Sequence, residues 1–126
     1  MHRFIPLALL VVFGLAFFVS PSEERAGTLR HVVAFKFKAD APQSEIDRVV
    51  REFRALKNRI GEIISYEAGT NVSPEGLDKG FTHCFIVTFR NERDRDAYLV
   101  HPDHEAFVEI VGPVVEDAFV IDFWAE

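Results

Sequence analysis

Two histidines, a tyrosine and a proline stand close together in Tyr98-Leu99-Val100-His101-Pro102-Asp103-His104. Imidazole is the side chain that exchanges protons near neutral pH, and a nearby phenol can orient it or donate to an oxygen on which charge develops. Pro102 suits the first turn of a helix, so the chain restarts here as a new helix. His101 is then placed to cap that helix. His104 lies one turn further on, where a helix N-terminus lowers the proton affinity of an imidazole and keeps it neutral, as a general base must be. His31 and His83 complete the set. Together His104, His83, Tyr98 and His31 point to proton abstraction next to a carbonyl, as in an aldol-type cyclisation, with no cofactor. Each also has a plainer reading: His83 as a hydrogen-bonded core histidine, His31 as a half-exposed strand end, His104 as a surface residue.

The elements that must position these residues follow from periodicity. Leu29 to Lys38 alternates as a strand, with His31, Val33, Phe35 and Phe37 on one face and Val32, Ala34, Lys36 and Lys38 on the other. After Pro42, the residues Ile46, Val49, Val50, Phe53, Leu56 and Ile60 recur at helical spacing, and Gly61 ends the run. Ile63 to Thr70 reads as a second strand and Asn71 to Gly80 as a polar turn-rich loop. Phe81 to Phe89 is a third strand with Phe81, His83, Phe85, Val87 and Phe89 on one face. Asn91 can cap a short helix that runs into Tyr98. A second short helix carries Phe107, Ile110 and Val111 until Pro113 kinks or ends it. Ala118 to Trp124 is the last strand.

The order is βαββαβ, an α+β, ferredoxin-like arrangement with a four-stranded antiparallel sheet. The helix-covered face would enclose a pocket lined by phenylalanines with a few polar groups, the usual form of a small-molecule site. Phe35, Phe53 and Phe85, with His101, are the candidate ligand contacts, and the ligand expected is small and apolar or carbonyl-bearing. The opposite face, with Val32, Ala34, Cys84 and Ile86, is too apolar to stay wet, which calls for a second copy packed sheet to sheet. A homodimer is therefore expected, with Cys84 buried in it as a small hydrophobe.

Composition excludes several classes. The chain of 126 residues carries a net charge of −6, which argues against nucleic-acid binding. A single cysteine forbids an intrachain disulfide and a cysteine zinc site. His101 and His104 could join His31 or His83 as nitrogen ligands, but no carboxylate is placed with them, and no metal is expected.

The N-terminus is a separate unit. His2 and Arg3 precede an uninterrupted apolar run, Phe4 to Val19, closed by Ser20-Pro21-Ser22-Glu23-Glu24-Arg25. As a helix the run would span about 24 Å, short of a bilayer's hydrocarbon core of about 30 Å. Residues 1–20 read as a signal peptide or an N-terminal membrane anchor, 21–28 as a linker and 29–126 as the domain. An exported protein is expected, periplasmic or secreted, or held at the membrane by residues 4–20.

The segments His31-Val32-Val33-Ala34-Phe35-Lys36-Phe37-Lys38, Gly80-Phe81-Thr82-His83, Tyr98 to His104 and Ile121-Asp122-Phe123 resemble the stress-responsive A/B barrel (Dabb) family, over about residues 29 to 124. The resemblance implies a dimeric α+β barrel. It covers proteins linked to stress responses and, more distantly, plant polyketide cyclases of the olivetolic acid cyclase type, in which a histidine and a tyrosine act as base and partner. This chain resembles those cyclases at His31, His83, Tyr98, His101 and His104, and departs from them at Phe53, where they have a tyrosine. Two functions follow as expectations. One is a dimeric stress-associated or ligand-binding module without catalysis; the other is a cofactor-independent cyclase or lyase acting on a polyketide-like carbonyl compound.

Overall fold

The computed structural model describes residues 27–126. The signal-or-anchor reading of residues 1–20, and all of the linker up to residue 26, fall outside the described residues. The strands are β1 (Leu29–Phe37), β2 (Ile63–Thr70), β3 (His83–Phe89) and β4 (Val115–Trp124). The helices are α1 (Gln43–Arg59), α2 (Glu92–Leu99) and α3 (Pro102–Val111). The sheet runs β2-β3-β1-β4 with every neighbouring pair antiparallel, the expected ferredoxin-like arrangement.

Local chemistry explains the element boundaries. Pro42 stands one position before the first turn of α1, and its carbonyl accepts from Ile46 N at 3.1 Å. Asn91 caps α2 through its side chain, which accepts from Asp94 N at 2.9 Å. Pro102 opens α3, where its missing N–H costs nothing. The third strand begins two residues later than the alternation suggests. Lys79 (φ 58°) and Gly80 (φ 86°) both take left-handed backbone, which only glycine adopts freely, in the turn just before Phe81. Phe81, outside the regular ladder, lies on the opposite face of the sheet, where its ring meets Phe119 at 6.2 Å. The fourth strand begins three residues early, at Val115, because Val114 O already accepts from Lys38 N at 2.9 Å.

One face of the sheet and the helices enclose the core. Phe53 of α1 is its centre: its ring stacks on Phe85 at 4.5 Å and lies 4.6 Å from Phe107 and 6.1 Å from Phe35. Val49, Leu56, Val87, Phe89 and Tyr98 are buried around it. The other face carries Val32 and Ala34 of β1, paired with Ile86 and Cys84 of β3 and with Ile121 and Phe119 of β4. Cys84 is exposed on it.

Candidate functional site

The core residues of α1, α2 and α3 cover the β3 side of the sheet more fully than β4. Val120, cross-strand from buried Val33 on the helix-facing side, remains 50 % exposed. Between α2, α3 and the β1–β4 half of the sheet lies a cavity of about 560 Å³. Its wall is mostly apolar, with Phe35, Phe53, Phe107 and Val111 on it, and its polar groups are His31, Arg95, Asp96, Tyr98, His104 and Asp122.

His104 owes its orientation to the helix break. Leu99 ends α2, so its carbonyl is one of the acceptors that a helix terminus leaves without an intrahelical partner. His104 Nδ1 donates to it at 3.1 Å. A carbonyl only accepts, so neutral His104 carries its proton on Nδ1 and leaves Nε2 as a free acceptor. Burial is the main cause that pushes its proton affinity below the usual histidine value; His31 and His101 push the same way, against the Leu99 bond and Glu105. Tyr98, at 1 % exposure, has its ring 4.5 Å from that of His104 and 5.8 Å from that of His31. Burial, aided by Tyr66, raises its phenol well above the ordinary value, so Tyr98 stays protonated and can donate.

His31 is fixed from the sheet. It stands cross-strand from Asp122, and Nδ1 meets Asp122 Oδ1 at 2.8 Å. The carboxylate accepts, so His31 donates from Nδ1. Asp122 Oδ2 accepts from Arg95 Nη1 at 2.8 Å, and Arg95 Nε donates to Asp96 Oδ1 at 3.0 Å.

Not every sequence candidate is at this site. His83 pairs with Phe35 while His31 pairs with Val87, so four residues, about 13 Å of strand, separate the two levels. His83 instead bonds Thr82 Oγ1 at 2.8 Å and rests edge-on against Phe37 at 5.0 Å. It borders two other hollows of about 460 and 530 Å³ at the far end of the sheet. The grouping of His83 with His31, Tyr98 and His104 expected from the sequence is corrected: antiparallel pairing sends His31 and His83 to opposite ends of the sheet. His101 caps α3, its Nδ1 accepting from Asp103 N at 3.1 Å, and it is absent from the cavity wall. Phe35 and Phe53 line the cavity, whereas Phe85 lies beneath them in the core.

Residues 29–125 match the Stress responsive A/B Barrel Domain, Dabb. Over 101 residues the chain is 31 % identical to the stress-response A/B barrel domain-containing protein HS1 of Arabidopsis thaliana, covering 80 % of this chain and 93 % of that protein. The chain belongs to the Dabb family. Olivetolic acid cyclase of Cannabis sativa is 23 % identical over 95 residues, 75 % of this chain and 94 % of the cyclase. Among solved structures, a hydroxynitrile lyase from Passiflora edulis superposes with a TM-score of 0.75 at 25 % identity, covering 81 % of this chain and 96 % of the lyase. A dimeric ferredoxin-like protein of unknown function from Bacteroides fragilis gives 0.65 at 28 %, covering 79 % of this chain and 98 % of that one.

Three polar residues of this Dabb cavity, Arg95, Asp96 and Asp122, escape a reading of the sequence. Asp122 had a signal: it is the one charge within Ala118-Phe119-Val120-Ile121-Asp122-Phe123, at the alternation position that faces the helices. Arg95 had none, because Asn91-Glu92-Arg93-Asp94-Arg95-Asp96 reads as a solvated helix start. Among the described residues no three His, Cys, Asp or Glu side chains are grouped to hold a metal.

Proposed function

We propose that this Dabb domain binds a small, largely apolar carbonyl compound in the 560 Å³ cavity and moves a proton on it, using its own side chains. The observation that carries this reading is the bond from His104 Nδ1 to Leu99 O. It fixes an imidazole with a free Nε2 beside a phenol that burial keeps protonated. In this reading His104 Nε2 takes a proton from the carbon next to the carbonyl, or from a hydroxyl. Tyr98 donates a hydrogen bond to the oxygen that gains negative charge. Asp122 holds His31 as a second imidazole at the same cavity. The relatives include a cyclase and a lyase, and both names are consistent with such chemistry.

The test is turnover of a linear polyketo compound and of an aromatic hydroxynitrile by the purified protein and by His104→Gln and Tyr98→Phe. Turnover that disappears in both folded variants supports the reading. An inert parent that carries an apolar molecule through native mass spectrometry would replace it with a ligand-holding module.

A homodimer through the open sheet face belongs to the same proposal. Phe119, Ile121 and Phe123 are 53 %, 52 % and 48 % exposed there, and solved relatives are described as dimeric. Export is proposed from the Phe4 to Val19 run alone; among the described residues no helix is long and apolar enough to cross a membrane. Cell fractionation tests it.

A further inference from the structure

The cavity contains one guanidinium, and it is already engaged. Arg95 Nη1 donates to Asp122 Oδ2 at 2.8 Å and Nε to Asp96 Oδ1 at 3.0 Å, so one cation stands against two carboxylates. Asp122 is further bound to its cross-strand neighbour His31, which ties the carboxylate in place from within the sheet. The side chains of Arg95 and Asp122 are only 22 % and 20 % exposed, which limits screening of that pair by water. At the other polar end, burial keeps His104 from gaining a positive charge and Tyr98 from gaining a negative one.

We propose that Arg95, through its commitment to Asp122 and Asp96, makes this cavity selective for uncharged carbonyl compounds over carboxylates of the same length. A carboxylate entering here would lose its hydration, meet a guanidinium whose charge two carboxylates already offset, and lie beside Asp122 and Asp96. An uncharged ketone or aldehyde avoids that cost. Its carbonyl oxygen can accept from Tyr98 or from the guanidinium, which has five N–H donors of which the two carboxylates engage two. Its apolar body fits against Phe53, Phe107 and Val111. This inference rests on the ligand-binding reading above and names the substrate class within it.

The test compares 2-octanone with octanoate on the full chain, purified without detergent and labelled with ¹⁵N in histidine, at a pH where octanoate is ionised. The ring signals of His31 and His104 report binding. The ketone should bind at least about tenfold more tightly than the acid. Equal or tighter binding of octanoate overturns the proposal while leaving the binding reading intact. If neither compound moves the two histidines, the binding reading itself fails and takes this one with it.

Asp122→Asn frees Arg95 from its strongest partner and should narrow the ratio about fivefold or reverse it. An unchanged ratio in that variant overturns the role of Arg95. Should Asp122→Asn not fold, Asp96→Asn at an exposed position tests the same point and should narrow the ratio in the same direction.

Discussion

His104 and Leu99 are joined across the break between α2 and α3 by a hydrogen bond of 3.1 Å from imidazole Nδ1 to the backbone carbonyl. Neither partner is unusual alone. The carbonyl is a helix terminus that lost its continuation, and the histidine is two residues beyond the proline that took that continuation away. The backbone device that restarts the chain therefore also sets the tautomer of the candidate base.

If the proposed chemistry operates, its pH profile follows from these two groups. His104 must be neutral, and burial lowers its proton affinity, so the rising limb of kcat/KM should lie below the ordinary histidine value of 6.5. Tyr98 must be protonated, and burial raises its phenol, so the falling limb should lie above 10.0. The plateau between them is broad. A rising limb centred above pH 7 would count against His104 as the base.

The same shift contributes to stability with a definite sign. The unfolded chain takes up the His104 proton at higher pH than the folded one, so falling pH favours unfolding. Stability should be lost from about pH 6.5 downward until the folded ring also protonates. His104→Gln should flatten that part of a urea-denaturation series measured against pH.

His83→Ala should separate scaffold from site. His83 is half buried at the far end of β3 and bonds a neighbouring threonine, so its loss should cost about 1 kcal/mol or less. Turnover, once a substrate is in hand, should stay within about twofold of the parent while His104→Gln abolishes it. Loss of turnover in a folded His83→Ala would return that histidine to the mechanism.

Most of the fold was legible because its signals are local. Alternation marked the strands, the spacing from Ile46 to Ile60 marked α1, and Asn91 and Pro102 marked the starts of the two short helices. The site was legible only where local chemistry also decided it, at Tyr98 and His104. Whether His31 and His83 meet depends on strand register and direction, and antiparallel pairing put Val87 opposite His31. Phe81 was misplaced because the ladder begins only at His83, whereas the alternation in the sequence continues unbroken through Phe81. Arg95 is not distinguishable from its solvated neighbours until β4 brings Asp122 to it.

The open face of the sheet makes a direct prediction about assembly. Ile121 is cross-strand from Val32, which in turn pairs with Ile86, giving an apolar row across three strands. A carboxylate in that row would be buried without a partner in a sheet-to-sheet dimer. Ile121→Glu should therefore sediment as a monomer at micromolar concentration while the parent sediments as a dimer, with the circular dichroism spectrum retained. A monomeric parent would end the dimer proposal.

Tyr66 offers a stabilising substitution with a second readout. Its hydroxyl is buried without a hydrogen-bond partner, and its ring lies 5.7 Å from Phe53 and 6.4 Å from Phe85. Burial, partly offset by Arg54, raises its phenol above the usual value. An unpaired buried hydroxyl costs about 1–3 kcal/mol, so Tyr66→Phe should raise stability by about 1 kcal/mol and the melting temperature by several degrees. Phe53→Ala, in the same cluster, should instead lose about 3–5 kcal/mol by opening a cavity at the centre of the core. Tyr66 also helps to hold the Tyr98 proton, so its replacement should move the falling limb of the pH profile slightly downward. A less stable Tyr66→Phe would mean that the hydroxyl is satisfied in solution, by ordered water or by a ligand.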